Sequence, residues 1–194
     1  EVCAALIEAA PEIAEKLFVT LAAGITAARY QQWLGDIRLV RAMPNTPSLV
    51  RLGVTGLFPT ACSNYEKAFV DHIFSGTGMT VWLDSEAQID HVIAVTGSSP
   101  AYFFFFMQAM QQVAEQLGFD AAQAKQMVAQ TALGAATMAL NSEHSFAELR
   151  AQVTSKGGTT HEAVTTFAEQ GLEKMVSDAM YAAIKRAQEM AQSL

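Results

Sequence analysis

The stretch Val153–Val164 reads V-T-S-K-G-G-T-T-H-E-A-V and places two glycines and two threonines directly before a predicted helix. Thr159 with Glu162 fits a capping box, so an ordinary capped helix start is one interpretation. Another interpretation uses the same physics, because free N–H groups of Gly158, Thr159 and Thr160 at the positive end of a helix bind a carboxylate or phosphate. Only one threonine can be the cap, so the second hydroxyl remains available for a ligand.

Two further candidate stretches follow the first two predicted strands. Ala22-Ala23-Gly24 comes directly after the apolar run Leu17–Leu21, and Met43-Pro44-Asn45 closes the run Ile37–Met43. In a doubly wound sheet, ligands bind at the carboxyl ends of the strands. Small residues let a ligand approach the backbone there, and Asn45 offers an amide for a nicotinamide or a ribose. Two ordinary strand-to-loop breaks account for the same residues equally well from spacing alone.

Other motif-like stretches do not fit known sites. Gly76–Val81 begins like G-x-G-x-x-G, but it lacks the third glycine and precedes a strand instead of following one. Ser155–Thr159 is no P-loop, because its lysine precedes the glycines. Gly97–Ser99 lacks the second glycine of a nucleophile elbow. The four histidines show no metal-ligand spacing with cysteine or with one another, so we expect no metal site.

Alternating strand and helix signals organise the first part of the chain. Strands separated by helices predict a parallel or mostly parallel sheet. The predicted strands cover 17–21, 37–43, 54–58 and 79–83, and the predicted helices between them cover 26–34 and 64–74. After Asp84 only helical patterns follow, with Ser99 as a predicted N-cap and Pro100 as the first residue of a helix. We therefore expect a partial α/β domain over residues 1–85 and an all-helical domain over residues 86–194.

Composition narrows the class of protein and its partners. Hydrophobic residues make up 51% of the 194-residue chain and charged residues 16%, which indicates a substantial core and some surface buried against another chain. The net charge of −7 argues against a nucleic-acid partner, which needs a basic patch. Cys3 and Cys62 form no CxxC and favour a reducing cytoplasm. Glu8 and Glu12 interrupt any signal-peptide pattern, and no apolar run approaches the ~20 residues of a membrane span, so we expect a soluble protein.

Three motifs, in this order, give the chain a family resemblance. They are V-R-A-M-P-N-T-P over Val40–Pro47, T-G-S-S-P-A-Y over Thr96–Tyr102, and L-R-A-Q-V-T-S-K-G-G-T-T over Leu149–Thr160. Together they resemble pyrroline-5-carboxylate reductases, which reduce a cyclic imine to L-proline with NADPH or NADH. The resemblance runs the full length of the chain. It implies a Rossmann-type domain followed by a helical domain that interlocks with its partner in a homodimer, with larger assemblies of dimers as an extension.

The resemblance implies roles for the glycine and threonine stretch. The residues of this stretch correspond to the family's substrate loop, in which backbone amides hold the substrate carboxylate and the last threonine reaches the ring nitrogen. Thr160 is thus the expected hydroxyl for orienting the imine. Glu143 falls where the family has an acid that acts near the substrate nitrogen through water. The substrate-binding residues implied are Ser155, Gly157, Gly158, Thr159 and Thr160.

The resemblance also implies a set of residues that line the binding site for the nicotinamide half of the cofactor. The residues concerned are Ala23, Gly24, Met43, Pro44 and Asn45. Three features depart from the family pattern. Lys156 stands where the family has a proline, and Ser99 stands where the family has a glycine. The third departure is the absence of a strand followed by G-x-G-x-x-G, which predicts that roughly 60 residues of two βα units are missing and that this chain alone binds dinucleotide poorly. We expect Lys156 to help attract the substrate or to loosen the loop.

Two alternatives remain beside the reductase hypothesis. One is a related reductase with a similar layout that acts on a different small acid, such as a 3-hydroxy acid. The other is a catalytically silent dimerisation module, which the absent fingerprint favours for this chain, whereas the intact substrate loop favours the enzyme.

Overall fold

A computed structural model describes Ala5 and residues 15–192 of the chain. Cys3, Glu8 and Glu12, which entered the sequence-based predictions, lie outside the described residues, as does Ser193, where the last helix predicted from the sequence ends. The described part falls into two compact units. One unit comprises the residues up to Pro100 together with those from Ala179 onward, and the other comprises Ala101–Asp178.

Four strands form one sheet in the order β1-β2-β3-β4. They span Leu17–Thr20 (β1), Arg38–Met43 (β2), Gly53–Thr60 (β3) and Gly78–Trp82 (β4). β1 pairs in parallel with β2, and β3 pairs in parallel with β4, as the sequence predicted. The middle pair, β2 with β3, is antiparallel. The sheet is therefore mostly parallel, as predicted, and the alternation of strands and helices did not indicate its one antiparallel pair.

The antiparallel pair follows from the connection between its strands. A single 3₁₀ turn, Thr46–Val50, joins β2 to β3, and no α-helix lies between them. Parallel strands require a crossover of a dozen or more residues, whereas antiparallel strands need only a short reversal. The sequence pattern of Pro44, Asn45 and Pro47 signalled the break but not the direction in which the chain returns.

Two helices pack on opposite faces of the sheet. Helix α1 (Ala27–Leu34) begins where the Thr26 hydroxyl accepts from Arg29 N, and it ends at Gly35, whose φ of 79° suits glycine. Helix α2 (Asn64–Ser75) begins with a capping box between Ser63 and Glu66. The α1 face buries Ala27, Leu34, Ile37 and Leu39, and the α2 face buries Val40, Ala42, Leu57 and Val70.

The first helix of the predicted all-helical part begins earlier than its sequence suggests. Helix α3 (Gln88–Val92) continues through a π-turn at Ile93–Gly97 into α4 (Ser99–Gln116). Ser99 is thus not an N-cap, because its buried hydroxyl donates to the carbonyls of Ala94 and Val95 within this continuous helical stretch. Pro100 lacks an N–H, and the π-turn accommodates that gap.

Four more helices complete the described chain. They span Ala121–Leu140 (α5), Phe146–Gln152 (α6), Thr159–Glu169 (α7) and Leu172–Gln192 (α8). Asp120 caps α5 by accepting from Gln123 N, and Ser145 with Glu148 forms a capping box at α6. The sequence pattern predicts these helices over 120–140, 146–153, 161–170 and 172–193, and the observed bounds agree to within two residues.

Helix α4 presents an unusually apolar surface. Phe103, Phe104, Phe105 and Phe106 are between 44% and 75% exposed. By length and composition alone, the continuous stretch Gln88–Gln116 is a candidate membrane span, and 6% of its most apolar window is buried. A single such helix is weak evidence for a membrane, so the predicted absence of a membrane partner stays a prediction. Apolar surface of this extent marks a site of contact with another molecule.

Candidate active site

The predicted cofactor and substrate residues lie in different compact units, and we describe each group by itself. Ala23, Gly24 and the Met43–Asn45 segment belong to the unit that contains the sheet. Glu143 and the Ser155–Thr160 segment belong to the unit spanning Ala101–Asp178.

The turn after β1 is built for close approach to the backbone. Gly24 has a φ of 78°, a conformation that side-chain-bearing residues rarely adopt. The Thr20 hydroxyl accepts from Ala22 N at 3.3 Å and lies 2.6 Å from the Tyr30 hydroxyl, so β1, the turn and α1 are tied together. Ala23 is exposed at this turn. The turn therefore exposes the small residue Ala23 at the carboxyl end of β1, whereas Gly24 is buried beneath it.

The positive end of α1 is already occupied by a carboxylate. Glu86 Oε1 accepts from Ala27 N at 2.6 Å and from Arg41 Nη1 at 2.7 Å. Because Ala27 is the first residue of α1, this carboxylate takes the place where an anionic ligand would bind a free helix end. The end of β1 is thus suited to an uncharged group and not to a phosphate.

Asn45 connects three parts of the sheet unit. Its Oδ1 accepts from Val54 N at 2.8 Å, and its Nδ2 donates to Thr96 O at 2.9 Å. In a regular helix Thr96 O would accept from the residue at position 100, but Pro100 has no N–H to donate. The Asn45 amide therefore satisfies a carbonyl that Pro100 leaves without its helical donor, a structural role that spacing did not reveal.

Two glycines shape the turn before α7, each for its own reason. Gly157 has a φ of 71°, which favours glycine. A Cβ on Gly158 would lie 2.5 Å from Ser155 Oγ and 3.1 Å from Ser155 O, so a side chain there must displace the Ser155 hydroxyl. Gly158 N donates to Ser155 O at 3.0 Å and closes the turn. Ser155 Oγ is thereby held directly against the residue that precedes α7.

The amino-terminal end of α7 is open. Gly158 occupies the N-cap position and supplies no side chain, and the predicted capping box between Thr159 and Glu162 does not form. Within the described part of the chain, the N–H groups and hydroxyls of Thr159 and Thr160 make no hydrogen bond. The N–H of His161 is likewise unbonded there, whereas Glu162 N donates to Gly158 O at 3.3 Å.

This geometry corrects one detail of the predicted donor set. The sequence suggested free amides at Gly158, Thr159 and Thr160, but the Gly158 amide is used within the turn. The free donors are those of Thr159, Thr160 and His161, with two threonine hydroxyls and Ser155 Oγ beside them. Free N–H groups at the positive end of a helix suit a carboxylate, and the hydroxyls add donors or acceptors for a second polar group.

Helix α7 is held by aromatic packing, and Glu143 is separate from it. The rings of Phe106 on α4 and Phe167 on α7 lie 5.8 Å apart between centroids. Glu143 is exposed in the turn between α5 and α6. No hydrogen bond among the described residues joins Glu143 to Ser155 or Thr160, so its role in catalysis stays a prediction.

Sequence reasoning missed the pair formed by Arg41 and Glu86. The signal was present, because an arginine inside the apolar strand L-V-R-A-M requires a buried partner. Spacing could not identify that partner, since Glu86 lies 45 residues further along the chain.

Gly78, at the start of β4 in the motif-like stretch Gly76–Val81, has a structural explanation. A Cβ on Gly78 would lie 2.1 Å from Gly53 O, so the close approach of β3 and β4 requires glycine there.

Comparison with known proteins places these features in a family. A family model described as pyrroline-5-carboxylate reductase dimerisation matches residues 86–190. The pyrroline-5-carboxylate reductase of Pseudomonas aeruginosa is 48% identical over 184 residues, which cover 93% of this chain and 67% of that protein. The enzyme of Vibrio alginolyticus is 47% identical over 182 residues, covering 92% of this chain and 67% of that protein.

Solved structures agree with the sequence comparison. A pyrroline-5-carboxylate reductase from Coxiella burnetii superposes with a TM-score of 0.91 at 42% identity and covers 97% of this chain and 70% of its own. The Plasmodium falciparum enzyme, solved with NADP bound, gives a TM-score of 0.88 at 24% identity and covers 98% of this chain and 77% of its own, which shows the shared fold. These likenesses confirm the predicted Rossmann-type sheet followed by helices. The chain belongs to the pyrroline-5-carboxylate reductase family.

Proposed function

We propose that this chain forms the larger part of an enzyme that reduces 1-pyrroline-5-carboxylate to L-proline with NADPH or NADH, the last step of proline biosynthesis. Family membership supports the reaction, and the open end of α7 is the observation in this structure that carries it. The relatives named above are all pyrroline-5-carboxylate reductases, which disfavours both a silent dimerisation module and a reductase for a different small acid.

The substrate fits the donors at α7. In this proposal the amides of Thr159, Thr160 and His161 hold the carboxylate at the positive end of the helix, with Ser155 Oγ as an additional donor. The Thr160 hydroxyl orients the ring nitrogen and holds it as the iminium accepts hydride at carbon. Glu143 acts on the same nitrogen through water. Positioning of this kind supplies several kcal/mol of barrier reduction, up to ~7–11 in well-oriented cases.

The residues at the end of β1 fit the nicotinamide half of the cofactor. Ala23 is a small, exposed residue on a turn that the positive φ of Gly24 makes possible, and Glu86 already occupies the first amide of the nearby helix. Met43, Pro44 and Asn45 form the neighbouring strand end, where Asn45 Nδ2 has a second hydrogen beyond the one given to Thr96 O. When bound, the cofactor supplies the hydride.

The proposal also assigns a role to Lys156, a homodimeric assembly and a cytoplasmic location. Lys156 is exposed beside the turn, and its positive charge attracts the substrate carboxylate over a distance of about one Debye length, ~8–10 Å. The matched dimerisation region supports self-association as a homodimer, and larger assemblies of dimers extend the same contact. The cysteine usage favours a cytoplasmic enzyme.

The test is steady-state reduction of 1-pyrroline-5-carboxylate by the full-length protein, including any segment that precedes residue 1. Thr160→Ala is expected to lower kcat/KM at least tenfold, about 1.4 kcal/mol of transition-state stabilisation, because the ring nitrogen loses its hydroxyl partner. Thr166→Ala is the matched control, since that hydroxyl donates to Glu162 O on the same helix. Equal kcat/KM for Thr160→Ala and the wild type would remove Thr160 from the mechanism. A wild type without NADPH- or NADH-dependent activity would overturn the proposed reaction.

A further inference from the structure

Glu86 makes two hydrogen bonds through one oxygen, to groups from different parts of the sheet unit. Its Oε1 lies 2.7 Å from Arg41 Nη1 in β2 and 2.6 Å from Ala27 N at the start of α1. The Arg41 side chain is 5% exposed and that of Glu86 29% exposed, so the pair is largely removed from water. One carboxylate therefore links the middle strand of the sheet to the first turn of a helix.

The buried guanidinium depends on this carboxylate. A buried charge without a partner is strongly destabilising. Arg41 Nε has no hydrogen-bond partner within the described residues, and Asp90 is the other acid close enough to feel the arginine's charge. Burial raises the pKa of Asp90, and the positive charge of Arg41 opposes that rise. Glu86 is thus the group that holds Arg41 by direct contact.

The position of Ala27 gives the contact a consequence for the site. Ala27 follows Gly24 by three residues, and Thr26 between them is the N-cap of α1. Fixing Ala27 N fixes where α1 starts, and the turn Ala22–Gly24 is held between that point and β1. The backbone of this turn is tied to β1 by the bond from Ala22 N to the Thr20 hydroxyl, and its other end depends on where α1 starts.

We propose that Glu86 is a positioning residue for the cofactor. Resting on the proposed function, the inference is that the Glu86 carboxylate, itself held by Arg41, fixes the first turn of α1 and thereby keeps the Ala22–Gly24 backbone in the conformation that receives the nicotinamide half. Glu86 touches neither substrate nor cofactor in this role. It also occupies the first amide of α1, which an anionic ligand would otherwise use.

The chain contains a matched control for this arrangement. Arg38 Nη1 lies 2.7 Å from Glu66 Oε1, and Glu66 Oε2 accepts from Ser63 N at 2.9 Å at the start of α2. This is the same combination of a β2 arginine, a glutamate and a helix start, but it lies on the other face of the sheet. A purely structural contribution should appear in both pairs, whereas a contribution to cofactor binding should appear at Glu86 alone.

The test measures NADPH dissociation constants by fluorescence, together with KM for 1-pyrroline-5-carboxylate, in the full-length protein. Glu86→Gln is expected to raise the dissociation constant for NADPH at least fivefold while KM for the substrate stays within twofold. Glu66→Gln is expected to lower thermal stability and to leave NADPH binding within twofold of the wild type. An unchanged dissociation constant in Glu86→Gln, or an equal rise in Glu66→Gln, would overturn the inference.

A second variant covers the case in which Glu86→Gln fails to fold. Ala27→Pro removes the amide donor and places the ring Cδ against Glu86 Oε1, so it breaks this contact. It does so at a first helical position where proline is favoured, and Thr26 already has the extended backbone that must precede a proline. We expect at least a threefold rise in the NADPH dissociation constant; wild-type binding in a folded Ala27→Pro protein would contradict the inference. A wild type that binds NADPH but does not reduce the substrate overturns the proposed reaction alone, since the binding comparison remains valid.

Discussion

Arg38 and Arg41 lie three residues apart in β2 and therefore face opposite sides of the sheet. Each pairs with a glutamate that also accepts from a backbone N–H at a helix start, Glu66 at α2 and Glu86 at α1. The arginine at 41 is buried and the one at 38 is partly exposed, so the same chemistry has different consequences. The exposed pair mainly supports a helix, whereas the buried pair also decides what can bind beside α1.

Gly158 provides a prediction at the scale of a single residue. Gly158→Ala is expected to raise KM for 1-pyrroline-5-carboxylate at least tenfold, because the new Cβ would lie 2.5 Å from Ser155 Oγ and must displace it. The measurement is steady-state kinetics of the full-length protein at saturating NADPH.

Gly134→Ala is the control for Gly158→Ala. Gly134 lies inside α5 with no atom within 4 Å of an added Cβ, so this change is expected to stabilise the protein by roughly 0.5–1 kcal/mol and to leave KM unchanged. A wild-type KM in Gly158→Ala would show that the turn tolerates a side chain and that Ser155 does not need its position.

The sequence could predict most of the candidate site at the level of residues. The glycine and threonine stretch was found because its hydroxyls exceed what one cap requires. Which amides are free was not predictable, because the bond from Gly158 N to Ser155 O depends on the conformation of the turn. The hydrogen bond from Asn45 to Thr96 O was not predictable either, since the sequence does not show that Asn45 lies beside the carbonyl that Pro100 leaves without its helical donor.

At the scale of elements, the capping box of α2 offers a direct test of helix stability. Ser63→Ala is expected to lower the free energy of unfolding by about 1 kcal/mol at pH 7, because Glu66 N loses its acceptor. The backbone N–H and hydroxyl of Ser63 hold the pKa of Glu66 below its ordinary value, and Arg38 adds to this effect. Urea denaturation followed by circular dichroism gives the difference.

The pH dependence of the Ser63→Ala effect follows from the direction of the Glu66 shift. A carboxyl whose pKa is lowered by folding contributes stability above its unfolded pKa of about 4.3 and loses it as the pH falls through the folded value. The difference between wild type and Ser63→Ala should therefore shrink when the pH is lowered from 7 to 3. Ser75→Ala, which removes a hydroxyl bonded to His72 O at the other end of α2, should show no such pH dependence. A constant difference for Ser63→Ala would contradict the assigned role of Glu66.

Element boundaries were predictable where the chain carries its own signals, and the exceptions have physical reasons. Thr26, Gly35 and Ser63 are local capping residues, and α1 and α2 begin and end as their pattern indicates. The antiparallel return of β3 depends on the geometry of a 3₁₀ turn, and the early start of the α3–α4 stretch depends on a π-turn. Neither leaves a periodic signal in the sequence.

At the scale of the whole molecule, we predict that the exposed phenylalanines of α4 form the surface for self-association. They lie within residues 86–190, which match the dimerisation family. Phe105 is 75% exposed in the single chain. An aromatic side chain that becomes fully buried when two chains associate is a typical interface anchor. Tyr65 on α2 is 81% exposed but lies outside the matched region. It therefore serves as a control for an exposed aromatic that is not expected to lie in the interface.

Phe105→Glu is therefore expected to weaken self-association at least a hundredfold, about 2.7 kcal/mol, because it places a charge in an apolar contact. Tyr65→Glu introduces the same negative charge at a similarly exposed aromatic residue, and we expect it to leave the dimer intact. Sedimentation velocity at micromolar concentration distinguishes the two, with circular dichroism to show that both variants keep their helices. A dimeric Phe105→Glu protein would place the interface on another face of the molecule. Dissociation of Tyr65→Glu would extend it beyond the matched region, to α2 and the sheet unit.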